Sequence, residues 1–218
     1  MKRYFKNKKL LERNNIYSKD MEHDACGVGL VASTEGKKSR KVVEYGIQAL
    51  KAVWHRGAVD ADGKTGDGAG IHVEIPKEFF KEKIEVTGHV YDNSEICIGM
   101  IFLPRNNYEA QESCRTLVEK ELTQNDFNIY GWRQVPVNTK VLGEKAEQTR
   151  PEITQVLFRH NNQKLSGKAL EIKLYETRRK IENNVRQNHL DNFYICSFSS
   201  KSIIYKGMFL AEALADFY

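Results

Sequence analysis

The pattern of apolar and polar positions along the chain predicts strands and helices in alternation. The run from Ile96 to Leu103 is almost continuously apolar and stops at Pro104, as is typical of a strand that is buried on both faces. Residues 41–54 instead carry apolar side chains three or four positions apart, which indicates an amphipathic helix with one face toward a core. That face consists of Val43, Ile47, Leu50 and Trp54.

The same reasoning assigns the rest of the chain. Strands are predicted at 26–34, 71–75, 129–137 and 153–158, and helices at 106–122 and 167–188. Residues 193–199 and 202–206 are predicted to form a β-hairpin, and the Lys- and Asn-rich residues 1–20 to be poorly ordered or at most weakly helical. No repeat or linker divides residues 26–218, so the pattern predicts a single α+β domain.

Composition narrows the class of protein. Hydrophobic residues make up 40% of the chain and charged residues 29%, which is ordinary for a globular protein. No apolar run is long enough to span a bilayer, and no signal peptide follows the basic start, so we predict a cytoplasmic protein with no membrane partner. Of the net charge of +5, residues 1–25 carry +3. The remainder is too weakly basic for a nucleic-acid surface.

Three short motifs suggest nucleotide or metal binding, but each lacks the neighbouring sequence that such binding requires. Residues 27–32 match a dinucleotide fingerprint, but they follow an acidic stretch rather than a strand. Residues 63–65 resemble the end of a phosphate-binding loop, but the upstream glycine, Gly57, is one residue too distant. Residues 60–63 resemble part of a calcium loop that lacks its later ligands. We interpret them as a tight acidic turn.

One of the four cysteines differs from the others. Cys97 and Cys196 lie in apolar strand-like runs and Cys114 on a helical face, so we predict that these three are small buried hydrophobic residues. The wide spacing of the cysteines, without a nearby His cluster, indicates no metal site. Cys26 instead lies between an acidic stretch and Gly27.

Cys26 can supply both a nucleophile and its base if the bond between Ala25 and Cys26 is cut. The new α-amino group would have an unperturbed pKa of about 7.7–8.0, which suits proton exchange with the thiol at neutral pH. The small residues that follow Cys26 would allow a substrate to approach it.

Three blocks of sequence resemble one family. Residues 24–31 read DACGVGLV, residues 55–58 read HRGA, and residues 62–71 read DGKTGDGAGI. With residues 193–208, they resemble the N-terminal class II glutamine amidotransferase domain of glutamate synthase large chains, a branch of the N-terminal nucleophile hydrolases. The resemblance covers residues 20–218 in order.

This resemblance implies a fold and a reaction. The fold is a four-layer αββα sandwich, residues 1–25 are a removable leader, and Cys26 attacks the γ-amide of L-glutamine to form a thioester and release ammonia. Arg56 and Gly57 would shape the substrate pocket beside the nucleophile. A tight structural turn would be built by Gly66, Asp67, Gly68 and Gly70.

The resemblance also implies partners. Ammonia would pass to later domains of the large chain, where FMN and an iron–sulfur cluster serve the reductive amination of 2-oxoglutarate, with a small chain as a further partner. No cofactor is expected on residues 1–218. The electron donor stays open between NADPH, NADH and ferredoxin.

One difference from the family lowers the activity that is expected of this chain. The glutamine-anchoring Arg and the Asn-Gly pair of the oxyanion hole are expected downstream of the segment that matches residues 193–206, and this sequence ends before them. We therefore expect a domain that is incomplete at its C-terminus, with little glutaminase activity in isolation, since such donors are commonly worth about 2.7–4 kcal/mol. Two alternatives remain: a non-catalytic, partner-binding remnant of a split enzyme, and a hydrolase that acts on another amide.

Overall fold

A computed structural model describes residues 2–13, 27–53 and 57–218 of the chain. Its strands are β1 (Ala69–Glu74), β2 (Cys97–Leu103), β3 (Phe127–Gln134), β4 (Glu152–His160), β5 (Tyr194–Ser199) and β6 (Ser202–Gly207). Its α-helices are α1 (Lys2–Arg13), α2 (Arg40–Ala52), α3 (Lys77–Val86), α4 (Tyr108–Gln124), α5 (Glu144–Thr149), α6 (Gly167–Gln187) and α7 (Leu214–Phe217). Single turns of 3-10 helix lie at Thr139–Val141 and Ala211–Ala213.

Four of the strands form an antiparallel sheet in the order β3-β4-β2-β5. Strand β2 is central, and six of its seven residues are buried, which confirms the strand predicted from its apolar run. Gly99 lies in β2 opposite Val156 of β4 and Phe198 of β5. A Cβ atom there would lie 2.7 Å from Val156 Cγ1 and 2.8 Å from Phe198 Cδ2, so this position has no room for a side chain.

The two faces of this sheet are covered by different elements. One face packs against α4 and α6 through a core that includes Leu122, Phe158 and Leu174. The other packs against a second sheet, formed by β1 and β6, through a core that includes Met100 and Ile203. Helix α2 contacts β1 in turn. Helices and antiparallel sheets thus combine into the α+β sandwich that the sequence predicts.

Strands β5 and β6 are present where they were predicted, but they do not form a hairpin. Strand β5 pairs with β2 in the four-stranded sheet, whereas β6 pairs with β1 in the two-stranded sheet. The connection crosses from one sheet to the other and is held by Glu171 of α6, whose carboxylate accepts hydrogen bonds from Ser200 N at 2.8 Å and Ser199 Oγ at 2.9 Å. The hairpin prediction is wrong because the local apolar pattern shows that both segments are strands but not which strand pairs with each of them.

The remaining differences are local. The strand predicted at 26–34 is absent from residues 27–33, where Val28 and Leu30 are about nine-tenths exposed. No other strand pairs with that described stretch, and glycines at 27 and 29 weaken its preference for extended structure. Residues 2–13 are helical where at most weak helicity was predicted. Helices α3 and α5 were not predicted, since each has few turns over which periodicity can be seen.

Candidate functional site

The predicted nucleophile and part of its predicted pocket lie outside the described residues. Cys26 and Arg56 fall in the gaps at 14–26 and 54–56, together with the predicted cut after Ala25. Their roles therefore stay predictions. Gly57 is described and exposed, and it leads into the segment that carries the predicted residues Gly66 and Asp67.

That segment, residues 58–67, is a small hairpin, which we call the clasp. Val59 pairs with Gly66 as an antiparallel bridge, and Asp60 N donates to Thr65 O at 2.8 Å. At its base, Ala58 N donates to Asp67 Oδ2 at 2.9 Å, and Asp67 N donates to Ala58 O at 3.3 Å. Two blocks that are separate in the sequence, H-R-G-A and T-G-D-G-A-G, are therefore bonded to each other.

The tip of the clasp is organised by Asp62. Its carboxylate accepts hydrogen bonds from Thr65 Oγ1 at 2.6 Å, Thr65 N at 2.7 Å and Lys64 N at 2.9 Å. These bonds hold the pKa of Asp62 well below its usual range, and the bond from the Thr65 hydroxyl has the largest effect. Gly63 has a φ of +69°, a conformation that favours glycine. The acidic turn predicted at residues 60–63 is thus present, and its carboxylate is occupied by the clasp itself.

The clasp is docked on helix α5. Thr65 is 2% exposed, and its hydroxyl accepts a hydrogen bond from Ala146 N at 3.3 Å. Lys145 Nζ lies 2.6 Å from Asp60 Oδ2, and Gly143, which precedes α5, packs against Asp62 and Thr65. Sequence reasoning missed the contribution of α5. The spacing of Asp62 and Thr65 could have indicated only the turn at the tip, since Asp side chains commonly bond the backbone just beyond them.

Three glycines allow the base of the clasp to approach the chain around β6. A Cβ atom on Gly66 would lie 2.9 Å from Leu210 Cδ2, and one on Gly70 would lie 2.8 Å from Lys206 Cβ. Gly68 has a φ of +117°, and a Cβ atom there would lie 3.2 Å from Gly207 O. Each position therefore has a steric reason to be glycine. The structure brings Gly66, Gly68 and Gly70 together with Asp67 at one end of the two-stranded sheet.

The cysteines in the described part of the chain are unsuited to catalysis. Cys97, Cys114 and Cys196 are all buried. Burial raises the pKa of Cys114 and Cys196 to about 11 and that of Cys97 well above its ordinary value, so their thiols stay protonated at neutral pH. Within residues 2–13, 27–53 and 57–218, no group of three or more His, Cys, Asp or Glu side chains is placed to hold a metal ion.

The described part of the candidate site is thus the clasp, which rests on α5 and, through its glycines, closely approaches the chain around β6. Residues 26–218 match the profile of the class II glutamine amidotransferases, and the chain belongs to this family.

Comparison with individual proteins shows which members of the family are similar to this chain. The glutamate synthase (NADPH) large chain of Azospirillum brasilense is 56% identical over 204 residues, which make up 94% of this chain and 13% of that relative. The ferredoxin-dependent glutamate synthase of Pyropia yezoensis is 36% identical over 214 residues, 96% of this chain and 14% of the relative. The glutamate synthase (NADPH) large chain of Bacillus subtilis (strain 168) is 34% identical over 207 residues, 93% and 13% respectively. The chain therefore spans about one-seventh of the length of these relatives.

Proposed function

We propose that this chain is the glutamine-hydrolysing part of a glutamate synthase large chain and that Cys26 is its nucleophile. The observation that carries the proposal is the 56% identity to a glutamate synthase large chain, which extends over 94% of this chain. The family match begins at residue 26, which supports a mature domain that starts with Cys26 after removal of residues 1–25.

In the proposed mechanism, the free α-amine of Cys26 takes the proton of the Cys26 thiol. The thiolate attacks the γ-carbonyl carbon of L-glutamine, and the α-ammonium returns the proton to the departing amide nitrogen. Ammonia leaves and a γ-glutamyl thioester remains. Water then breaks the thioester and releases glutamate, so the thiol is regenerated. Because the amine and the thiol share one residue, no second side chain has to be positioned as the base.

The wider activity follows from the same proposal. The ammonia would serve to convert 2-oxoglutarate to glutamate in other domains of the complete protein, with FMN and an iron–sulfur cluster there, in the cytoplasm.

Within the part of the chain that the structure describes, no helix is both long and apolar enough to cross a membrane.

Covalent labelling tests the proposal. The complete native polypeptide is incubated with the chloroketone analogue of L-glutamine, and the modified residue is identified by mass spectrometry. We expect one adduct, at Cys26, which glutamine suppresses and which the Cys26→Ala variant lacks. The mass of the untreated protein should correspond to a chain that begins at Cys26.

Two results would contradict the role of Cys26 as the nucleophile. One is a folded protein in which Cys26 is not labelled, or is labelled equally well with excess glutamine present. The other is ammonia release from glutamine that is unchanged in the Cys26→Ala variant. A native protein that retains residues 1–25 and still hydrolyses glutamine would refute the role of the α-amine.

A further inference from the structure

We infer that Arg133 and Lys83 form a binding site for a carboxylate group, with the ring of Phe79 as its apolar wall. All three residues lie in the part of the chain that the structure describes, on β3 and α3. The inference does not depend on the proposed function, because none of these residues takes part in the proposed reaction at Cys26.

The two cations lie against one aromatic ring. Arg133 Cζ lies 5.3 Å from the centroid of the Phe79 ring, and Lys83 Nζ lies 5.0 Å from it. Both distances are short enough for attraction between a cation and the face of a ring. Phe79 and Lys83 are one turn apart on α3, whereas Arg133 belongs to β3 at the edge of the four-stranded sheet. The fold therefore adds a second positive charge to that of the helix.

Within the residues that the structure describes, no carboxylate neutralises these two charges. Neither Arg133 nor Lys83 belongs to any of the ion pairs there. The hydrogen bond that Arg133 makes is donated by Nη1 to Oε1 of Gln155, a neutral amide, at 2.8 Å. Since a guanidinium carries five N–H donors, most of them remain for a ligand.

The surroundings of Arg133 make an uncompensated charge costly. Gln155 lies opposite Arg133 on β4, is fully buried and donates from Nε2 to the Tyr205 hydroxyl at 3.4 Å. Burial lowers the pKa of Arg133, because a charged group loses solvation among apolar atoms. Another partly buried arginine of the domain is neutralised, with Arg150 Nε lying 2.9 Å from Glu147 Oε2. An acidic ligand would do the same for Arg133.

The chemistry of the three side chains favours a carboxylate. The planar guanidinium of Arg133 can donate two parallel hydrogen bonds to the oxygens of such a group, and the Lys83 ammonium adds a second charge. Phe79 is 37% exposed, so its ring can contact the carbon atoms next to the carboxylate, which inorganic phosphate lacks. The alternative is that water alone solvates both cations and that the ring only supports their apolar stems.

Modification by phenylglyoxal, which reacts with arginine side chains, separates these alternatives. The reaction of Arg133 in the 218-residue chain is followed by mass spectrometry in acetate and in chloride of equal ionic strength. With a dissociation constant of roughly 30 mM, about 100 mM acetate should slow the modification about fourfold. Arg186 is exposed and has no ion pair among the described residues. It is the control arginine and should react equally fast in both salts.

Variants of α3 test the contribution of the second cation. Lys83→Gln leaves Arg133 in place, and we expect the protection by acetate to fall to about twofold or less. Lys83→Arg keeps the charge and should retain the protection of the parent chain. Lys81→Gln is the matched control, because Lys81 lies on the same helix but contacts another ring, that of Tyr91, at 6.0 Å from Nζ to the centroid. Its protection should equal that of the parent chain.

The complete polypeptide distinguishes the two sources of a carboxylate. If an acidic side chain outside residues 1–218 occupies the site, Arg133 should react at least about tenfold more slowly there than in the chain, in either salt. A carbodiimide should then cross-link Lys83 directly to that acid. If the ligand is a free carboxylate, Arg133 should stay reactive in the complete polypeptide and acetate should still protect it.

Four results would overturn the inference. An Arg133 that does not react in chloride would be closed to any ligand, and equal effects of acetate on Arg133 and Arg186 would exclude a specific site. Stronger protection by phosphate than by acetate would rule out the preference for a carboxylate. In the complete polypeptide, an unreactive Arg133 without a cross-link from Lys83 would show that another kind of group covers it. Unchanged protection in Lys83→Gln would remove Lys83 from the site.

Discussion

Adding a single methyl group at Gly143 should release the clasp from α5. Gly143 has φ −74° and ψ 162°, which any residue adopts, so alanine is not excluded by the backbone. A Cβ atom there would lie 2.7 Å from Asp62 Cγ, and it would also collide with the Asp62 carboxylate oxygen and the Thr65 hydroxyl. Because Asp62 is held by three hydrogen bonds, it cannot turn aside without losing them.

The expected loss of stability in Gly143→Ala follows from the free-energy cost of overpacking. Forcing a methyl group into a filled site typically costs about 1–3 kcal/mol, and alanine is also a poorer helix N-cap than glycine, which acts in the same direction. For a chain of this size, each kcal/mol lowers Tm by about 2–4 °C. We therefore expect Gly143→Ala to lower Tm by roughly 2–12 °C, measured by circular dichroism during heating of the chain.

Two further variants make the prediction specific. Gly29→Ala is the control, because a Cβ atom there would meet nothing within 4 Å, and its Tm should equal that of the parent chain. Asp62→Ala removes the carboxylate with which the new methyl group would collide. In that background, Gly143→Ala should therefore lower the stability less than it does in the parent chain. A Gly143→Ala chain as stable as Gly29→Ala, or one equally destabilised with and without Asp62, would refute the steric reasoning.

Three more predictions follow from the core and from ionisable groups. Phe158→Ala should lower stability to urea by about 3–5 kcal/mol, because Phe158 is fully buried with ring centroids of Phe127 and Phe198 5.3 and 4.9 Å away. A Cys26→Ala chain should contain no thiol that reacts quickly with Ellman's reagent at about pH 8, since its remaining thiols are buried with raised pKa values. Glu147→Gln should destabilise the chain at pH 7 but much less at about pH 3. Arg150 and Arg105 lower the pKa of Glu147, so its stabilising effect is complete above its unfolded-state pKa and is lost as the pH falls through the folded-state value.

Each of these predictions has a clear contrary result. A Phe158→Ala chain within about 1 kcal/mol of wild type would mean that this part of the core can collapse around the missing ring. Rapid reaction of a native thiol in Cys26→Ala would show that one of the three buried cysteines is accessible. A Glu147→Gln effect that does not depend on pH would show that the carboxylate charge does not contribute to stability.

The sequence predicted the main elements of the sandwich because their apolar patterns are long and regular. Strand β2 and helix α6 carry uninterrupted patterns of 7 and 21 residues, and both were predicted within a residue or two of their bounds. The short helix α5, with 6 residues and a single buried side chain at Ala146, gives too few turns for a periodicity to be recognised. The element that anchors the clasp was therefore invisible in the sequence.

In the candidate site too, some features could be predicted from the sequence and others could not. The blocks around Cys26, Gly57 and Asp67 identify the family from residue types alone, because their glycines and the Cys-Gly pair at residues 26–27 form a recognisable sequence pattern. Nothing in the spacing of residues 58–67 showed that Asp67 bonds Ala58, since a side-chain bond across nine positions depends on how the chain turns between them.

By itself, then, the sequence determined where most strands and helices lie, which thiols are buried and to which family the chain belongs. Only the tertiary structure decided that β5 and β6 enter different sheets, that the clasp rests on α5 and that Asp67 holds Ala58. The physical reason is that local patterns report which face of an element is apolar. Which element covers that face, and which strand pairs at each edge, depends on contacts between residues far apart in the chain.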